Sequence, residues 1–352
     1  MRGTDIQQDS LFSYSKVSDF VPADHPLRRI RSLVDEALES MHGHLSSSYA
    51  PGGVESIAPE RLIRAQLLQA LYSIRSERQL VEQIRYNMLY RWFVGLSIDD
   101  RVWHATTFTK NRDRFIAHDT TRHLLAAVVE QARKRRLLSG EHFSVDGTLI
   151  EAWASHASYR CRDDDDPPPP GPPDFKGQRR SRDTHESKTD PDALLYKKSD
   201  GQGAKLCYIG HVMTDNRHGL VVDAELTQAT GTAEVDAALA MIDRRPGKRR
   251  ITVGADKNYD QTRFVDGARR ARATPHVARK THSRIDGRTT RHVGYAKSRS
   301  ARYQAEMPFG WAKAGRSFKR TMLRGVARVG SQALLTLAAF DLVRIASLEA
   351  TA

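Results

Sequence analysis

The 352-residue chain carries only two cysteines, Cys161 and Cys207, and no Cys-x-x-Cys spacing. That excludes a disulfide-stapled fold and the common zinc frameworks, and it fits a reducing compartment. His142, His156, His185, His211 and His218 show no zinc spacing either and read as polar surface residues. Long apolar runs are also missing. The most apolar stretch, residues 333–345, is interrupted by Thr336, Asp341 and Arg344 and is too short to span a bilayer. The first ten residues lack an apolar core, so they do not read as a secretory signal. No repeat of solenoid length occurs.

Positive charge is abundant. Lys and Arg number 56 against 42 Asp and Glu, a net charge of +14 that recurs along the chain. Cations distributed this way suit a polyanionic partner, because each neutralised phosphate releases counterions. The plain alternative is a basic soluble protein without such a partner. The length exceeds one typical domain, so two are expected.

From His25 to about Leu138 the pattern is helical. Leu62, Ile63, Leu67, Leu71 and Ile74 mark one amphipathic helix after Pro59. Ser76 opens a second, which is expected to run through Leu80, Ile84, Met88, Trp92 and Phe93 to Gly95. Residues 106–115 read as a short helix carrying Lys110, Arg112 and Arg114, and 119–138 as a longer one ending in four basic residues. After Gly140 the period shortens to that of strands. Phe143 and Val145 alternate with polar neighbours, and 206–213 and 220–226 form a hairpin around residues 215–219. A helix at 233–243, a strand at 251–254, a helix at 261–272 and a strand at 274–278 follow, with helix again from Pro308. The intervening 155–204 segment is rich in Asp and Pro and is expected to be disordered.

Without that insertion, the second half has the element order of a ribonuclease H-like α/β domain, a mixed sheet flanked by helices, preceded by an all-α region. Three acids fall where such a sheet gathers side chains. Asp146 lies in the first strand, Asp256 follows the fourth, and Glu306 precedes the last helical region. Together they are hard oxygen ligands for Mg²⁺ or Mn²⁺, and two such ions roughly 3.5–4 Å apart suit in-line phosphodiester displacement. Each acid has a plainer reading: a turn residue before Gly147, a helix cap, and a surface carboxylate.

The runs 144–153 (Ser-Val-Asp-Gly-Thr-Leu-Ile-Glu-Ala-Trp), 227–234 (Thr-Gln-Ala-Thr-Gly-Thr-Ala-Glu) and 254–260 (Gly-Ala-Asp-Lys-Asn-Tyr-Asp) resemble the bacterial insertion-sequence DDE transposases of the fifth insertion-sequence family. Residues 23–28, 90–96 and 285–292 extend the resemblance over nearly the whole chain. It implies transposition, divalent metal held by Asp146, Asp256 and Glu306, and terminal inverted repeats and target DNA as partners. It also implies at least a dimer on DNA, and a cytoplasmic, nucleoid-associated bacterial protein. The family's glutamate motif has Tyr, then Arg, Glu and Lys; Arg302, Glu306 and Lys313 keep its spacing, while Arg299 takes the tyrosine position. Arg302 and Lys313 are expected on phosphates.

Pro308 disfavours helix at Met307, which would leave Glu306 on a loop. Asp341 stands where similar members tend to carry Asn. Lys257 and Lys205 are further candidates for phosphate contact, and Lys110, Arg112 and Arg114 for entering a groove. Glu151, five residues beyond Asp146, should face the other side of the sheet. The expected division is a DNA-binding domain over 1–140 and a catalytic domain over 141–352. Two alternatives remain: a decayed transposase that only binds DNA, and a nuclease without strand transfer.

Overall fold

Leu27, Ile30, Leu33, Val34, Ala37 and Leu38 fall on one stripe of helix α1 (Leu27–Ser40), and the same three- and four-residue spacing recurs through the helices after it. These are α2 (His42–Ser47), α3 (Pro59–Leu71), α4 (Glu77–Tyr86), α5 (Met88–Val94), α6 (Thr106–Ala117) and α7 (Thr120–Lys134). The computed structural model describes residues 15–50, 52, 56–162, 182–197, 203–247, 249–315 and 318–351. The helix expected from Ser76 to Gly95 is two helices. Ser76 caps α4 by accepting from the Gln79 amide. Asn87 then breaks the run, because its side-chain Oδ1 accepts from the Leu89 and Tyr90 amides and starts α5. Gly95 ends α5 at φ 92°, a conformation that glycine adopts without strain.

The sheet region comprises β1 (His142–Glu151), β2 (Tyr159–Cys161), β3 (His185–Ser187), β4 (Leu194–Tyr196), β5 (Lys205–Asp215), β6 (Val221–Gln228), α8 (Ala233–Arg244), β7 (Ile251–Ala255), α9 (Thr262–Arg270) and β8 (Ala273–Val277). Helices α10 (Gly287–Arg291), α11 (Val293–Ala301), α12 (Met307–Ala314) and α13 (Val326–Thr351) complete the chain. The main sheet runs β4-β5-β1-β7-β8, with β6 also on β5. β1 is central, antiparallel to β5 and parallel to β7. This is the mixed, ribonuclease H-like arrangement that the element order implied. Within the insertion, the described residues are ordered, contrary to expectation. β2 pairs with β3, β4 pairs with β5, and Asp190 and Asp192 accept from the Gly325 and Val326 amides at the start of α13. Backbone pairing and capping supply the order that apolar composition does not. The Asp- and Pro-rich tract at 163–173 lies outside the described residues.

The two sheet faces carry different layers. Val145, Met213, Val253 and Phe264 pack with α8 and α9 on one side. On the other, Ile150, Tyr208 and Val212 join a core that continues through α13 into α1, α3 and α7. Covered by helices on one flank and by β6 on the other, α13 is apolar nearly all round. Among the described residues no helix is long and apolar enough to cross a membrane.

Candidate active site

β-pleating puts Asp146 and Thr148 on the α13 side of β1 and Gly147 on the α8 side. The parallel register of β1 with β7 pairs Ser144 with Gly254. Two residues further along each strand stand Asp146 and Asp256, the latter still extended at φ −74°, ψ 175°. Parallel neighbours lie about 4.8 Å apart, so this register brings the two carboxylates to the same end of the same strand pair. Asp256 also accepts from the Asn258 amide at 2.6 Å, so the capping role and a place in the acid cluster coexist.

Glu306 follows the 3₁₀ turn Arg302–Ala305 and is the N-cap of α12, with φ −83° and ψ −22°. It does not hang from a loop. Pro308 sits in the first turn of α12, where its missing N–H has no helical acceptor to lose, so the helix starts at Met307. Arg302 donates to Glu306 at 3.0 Å across one turn. Burial raises the Asp146 carboxyl to about 6, helped by the negative charges of Asp256 and Glu306, while the Gly147 amide and Arg302 pull it down. The three acids are thus electrostatic neighbours. Among the described residues, however, no three His, Cys, Asp or Glu side chains are gathered closely enough to hold a metal ion.

The other expected residues divide. Lys313 donates to the Thr148 hydroxyl, two residues along β1 from Asp146 and on its face. Lys257 is exposed beside Asp256. Lys205 is not at the site: it pairs with Glu151, five residues from Asp146 and about 17 Å along the strand. Glu151 has the parity of Gly147 and so faces away from Asp146, as expected. On α6, Arg112 pairs with Glu77, and Arg114 lies over the Tyr49 ring at 4.2 Å and donates to Asn111. Arg112 thus ties α6 to α4 and Arg114 ties α6 to Tyr49 beyond α2, so of the three cations only Lys110 is exposed for a groove.

Three residues behind β1 had not been singled out for the site. His211, expected on the surface, is 1% exposed and lies opposite Gly147 in β5. Its Nε2 meets Thr227 at 2.8 Å, its Nδ1 has no hydrogen-bond partner among the described residues, and burial pushes it down to about 4. Glu234, in the first turn of α8, and His211 close over the Gly147 Cα. A methyl group there would stand 3.2 Å from Glu234 Oε1 and 3.4 Å from His211 Nδ1. Tyr259 is buried where it senses Glu234, Asp146 and Asp256, and burial reinforced by those charges keeps its hydroxyl protonated.

Gly147→Ala is therefore expected to cost about 1 kcal/mol of stability by crowding, and to slow any reaction at Asp146 next door. Glu234→Ala in the same chain should restore the melting temperature. If the two losses simply add, the crowding account fails.

Residues 15–114 match the family described as Transposase domain (DUF772), and residues 138–342 match the Transposase DDE domain. No curated protein matches the chain. Solved structures similar to it include a synaptic complex of piggyBac transposase with hairpin DNA, at 8% identity over 93% of this chain and 76% of that one, with a TM-score of 0.40. A pre-cleavage Mos1 transpososome is similar at 12% identity over 93% and 98%, with a TM-score of 0.20. Both are too distant for residue roles to be carried across. The DDE match alone spans more than half of the 352 residues, and the chain belongs to the DDE transposase family.

Proposed function

We propose that this transposase binds the terminal inverted repeats of an insertion sequence and catalyses both strand cleavage and strand transfer, with Asp146, Asp256 and Glu306 holding divalent metal. The observation that carries this reading is the register of β1 with β7, which brings Asp146 and Asp256 to the same end of one strand pair, while burial and the charges of Asp256 and Glu306 raise the Asp146 carboxyl to about 6. A protein gains nothing in stability by burying an acid beside two others. A divalent cation would relieve that repulsion, and an oxygen-only donor set completed by water and phosphate suits Mg²⁺ or Mn²⁺. When bound, a metal pair would activate the attacking oxygen and stabilise the leaving one.

The chain's own cations then hold the substrate. Arg302 exchanges Glu306 for a phosphate that it grips with its planar fork, and Lys313 and Lys257 add point charges on either side of Asp146. Thr148 aims Lys313. Residues 1–140 serve end recognition and 141–352 the chemistry, and pairing of two ends calls for at least a dimer on DNA.

The test is cleavage of a labelled fragment carrying the element's own terminal repeat, with Mg²⁺ or Mn²⁺. Nicking at the repeat boundary that Asp146→Ala and Glu306→Ala each abolish is the expected result. Wild-type binding without nicking would leave only a DNA-binding protein, and nicking without joining would leave a nuclease.

A further inference from the structure

Residues 279–302 contain eight Lys and Arg and a single acid, Asp286, a net +7 that is half of the chain's +14 in 24 residues. The segment is well anchored. Ile285 is buried in the α8–α9 core, the Tyr295 hydroxyl donates to the Val277 carbonyl at 2.7 Å, and Ser298 meets the buried His276 at 2.7 Å. With Tyr295 and Ser298 turned inward, α11 must carry its charges outward, and Arg279, Arg284, Arg288, Arg291, Lys297 and Arg299 are all exposed. None of the six forms an ion pair among the described residues. The one acid is engaged elsewhere: Asp286 caps α10 through the Thr289 amide and lies 3.9 Å from Arg269.

Arg122, Arg135 and Arg244 each bridge two acids, whereas within 279–302 a single acid, Asp286, stands against eight cations. Like charges crowded on one rigid surface repel and cost stability unless a polyanion covers them. The strip is continuous with the acids, since α11 passes through Arg302 directly into the 3₁₀ turn before Glu306. Two exposed side chains, Val293 and Tyr303, lie along it, 70% and 60% accessible.

We infer that the 279–302 strip is a sequence-independent track for duplex DNA, gripping the phosphate backbone that runs up to the acid cluster. This rests on the transposase reading. It assigns to the strip a holding role separate from both end recognition and chemistry.

Salt titration of binding tests it. Arg279, Arg284, Arg288 and Lys297 are exposed and make no side-chain hydrogen bond among the described residues, so changing all four to Ala should leave the fold intact; a thermal melt checks this. A control variant loses four exposed cations outside both the strip and residues 1–140, Arg250, Arg270, Lys319 and Arg324, none of which forms an ion pair among the described residues. Each phosphate contact contributes about 0.9 to the slope of log K against log [salt], so the strip variant should be shallower than wild type by about 3.6, and the control by much less. The loss should be the same on duplexes of unrelated sequence. An unchanged slope in the strip variant, or equal losses in strip and control, overturns the track while leaving the transposase reading standing. A wild-type protein that binds no duplex overturns both.

Discussion

Asp146→Asn is expected to abolish metal-dependent nicking and, at the same time, to raise the melting temperature. The sign follows from the carboxyl's position. Its value in the fold is about 6, against the usual 3.8, because burial and two neighbouring acids penalise the ionised form. An acid held above its unfolded value contributes nothing adverse below about pH 4, costs stability progressively as pH rises towards 6, and holds that cost above 6. A shift of this size corresponds to roughly 2–3 kcal/mol at neutral pH, taken as a ceiling because part of the side chain meets solvent. Asn keeps the shape and cannot ionise. A melt at pH 7.5 should therefore favour the variant, and one at pH 4 should not. Phosphoryl-transfer activity should fall by about 10³-fold or more, since a neutral amide is a poor ligand for a hard cation. A variant that lost activity and melted lower at both pH values would mean that Asp146 is a structural residue.

The strand positions of Asp146 and Asp256 were legible because they rest on alternation and element order, which are local signals. Asp146 in an alternating run and Asp256 at the end of a short apolar run are two strand positions, and a parallel sheet aligns them. What the sequence hid was pairing across distance. Arg112 and Arg114 read as groove-binding charges until Glu77 and Tyr49, 35 and 65 residues away, claim them. Asn87 falls within an uninterrupted helical pattern, and only its side chain's bonds to two amides reveal the break. His211 was misplaced although a signal existed. Residues 206–213 form a nearly continuous apolar run, the mark of a strand covered on both faces, and a histidine inside it must be buried. The order of the insertion's flanks depends on edge pairing to β5 and capping of α13, partners that composition cannot register.

Asp341→Asn should stabilise the protein without changing its activity. Asp341 lies inside α13, 1% exposed, and its Oδ1 accepts from the Val221 amide at 2.9 Å across the α13–β6 contact. Burial holds its carboxyl well above the usual range, with the Val221 amide only partly opposing. An unpaired carboxylate in this core would be costly, so the folded protein keeps the proton that the unfolded chain releases above about pH 4. Stability should then fall with rising pH by about 1.4 kcal/mol per unit until the buried group itself ionises. Asn preserves an oxygen for Val221 and has no proton to lose. The two proteins should melt together at pH 4 and separate by several degrees by pH 7.5, with the variant higher. Asp341→Leu, which strands the Val221 amide, should melt lower than Asn at both pH values. A gap between Asn and wild type that stays constant with pH would show that Asp341 carries no such penalty. Because Asp341 acts on the α13–β6 contact and not on Asp146, Asp256 or Glu306, nicking rates of the Asn variant should match wild type.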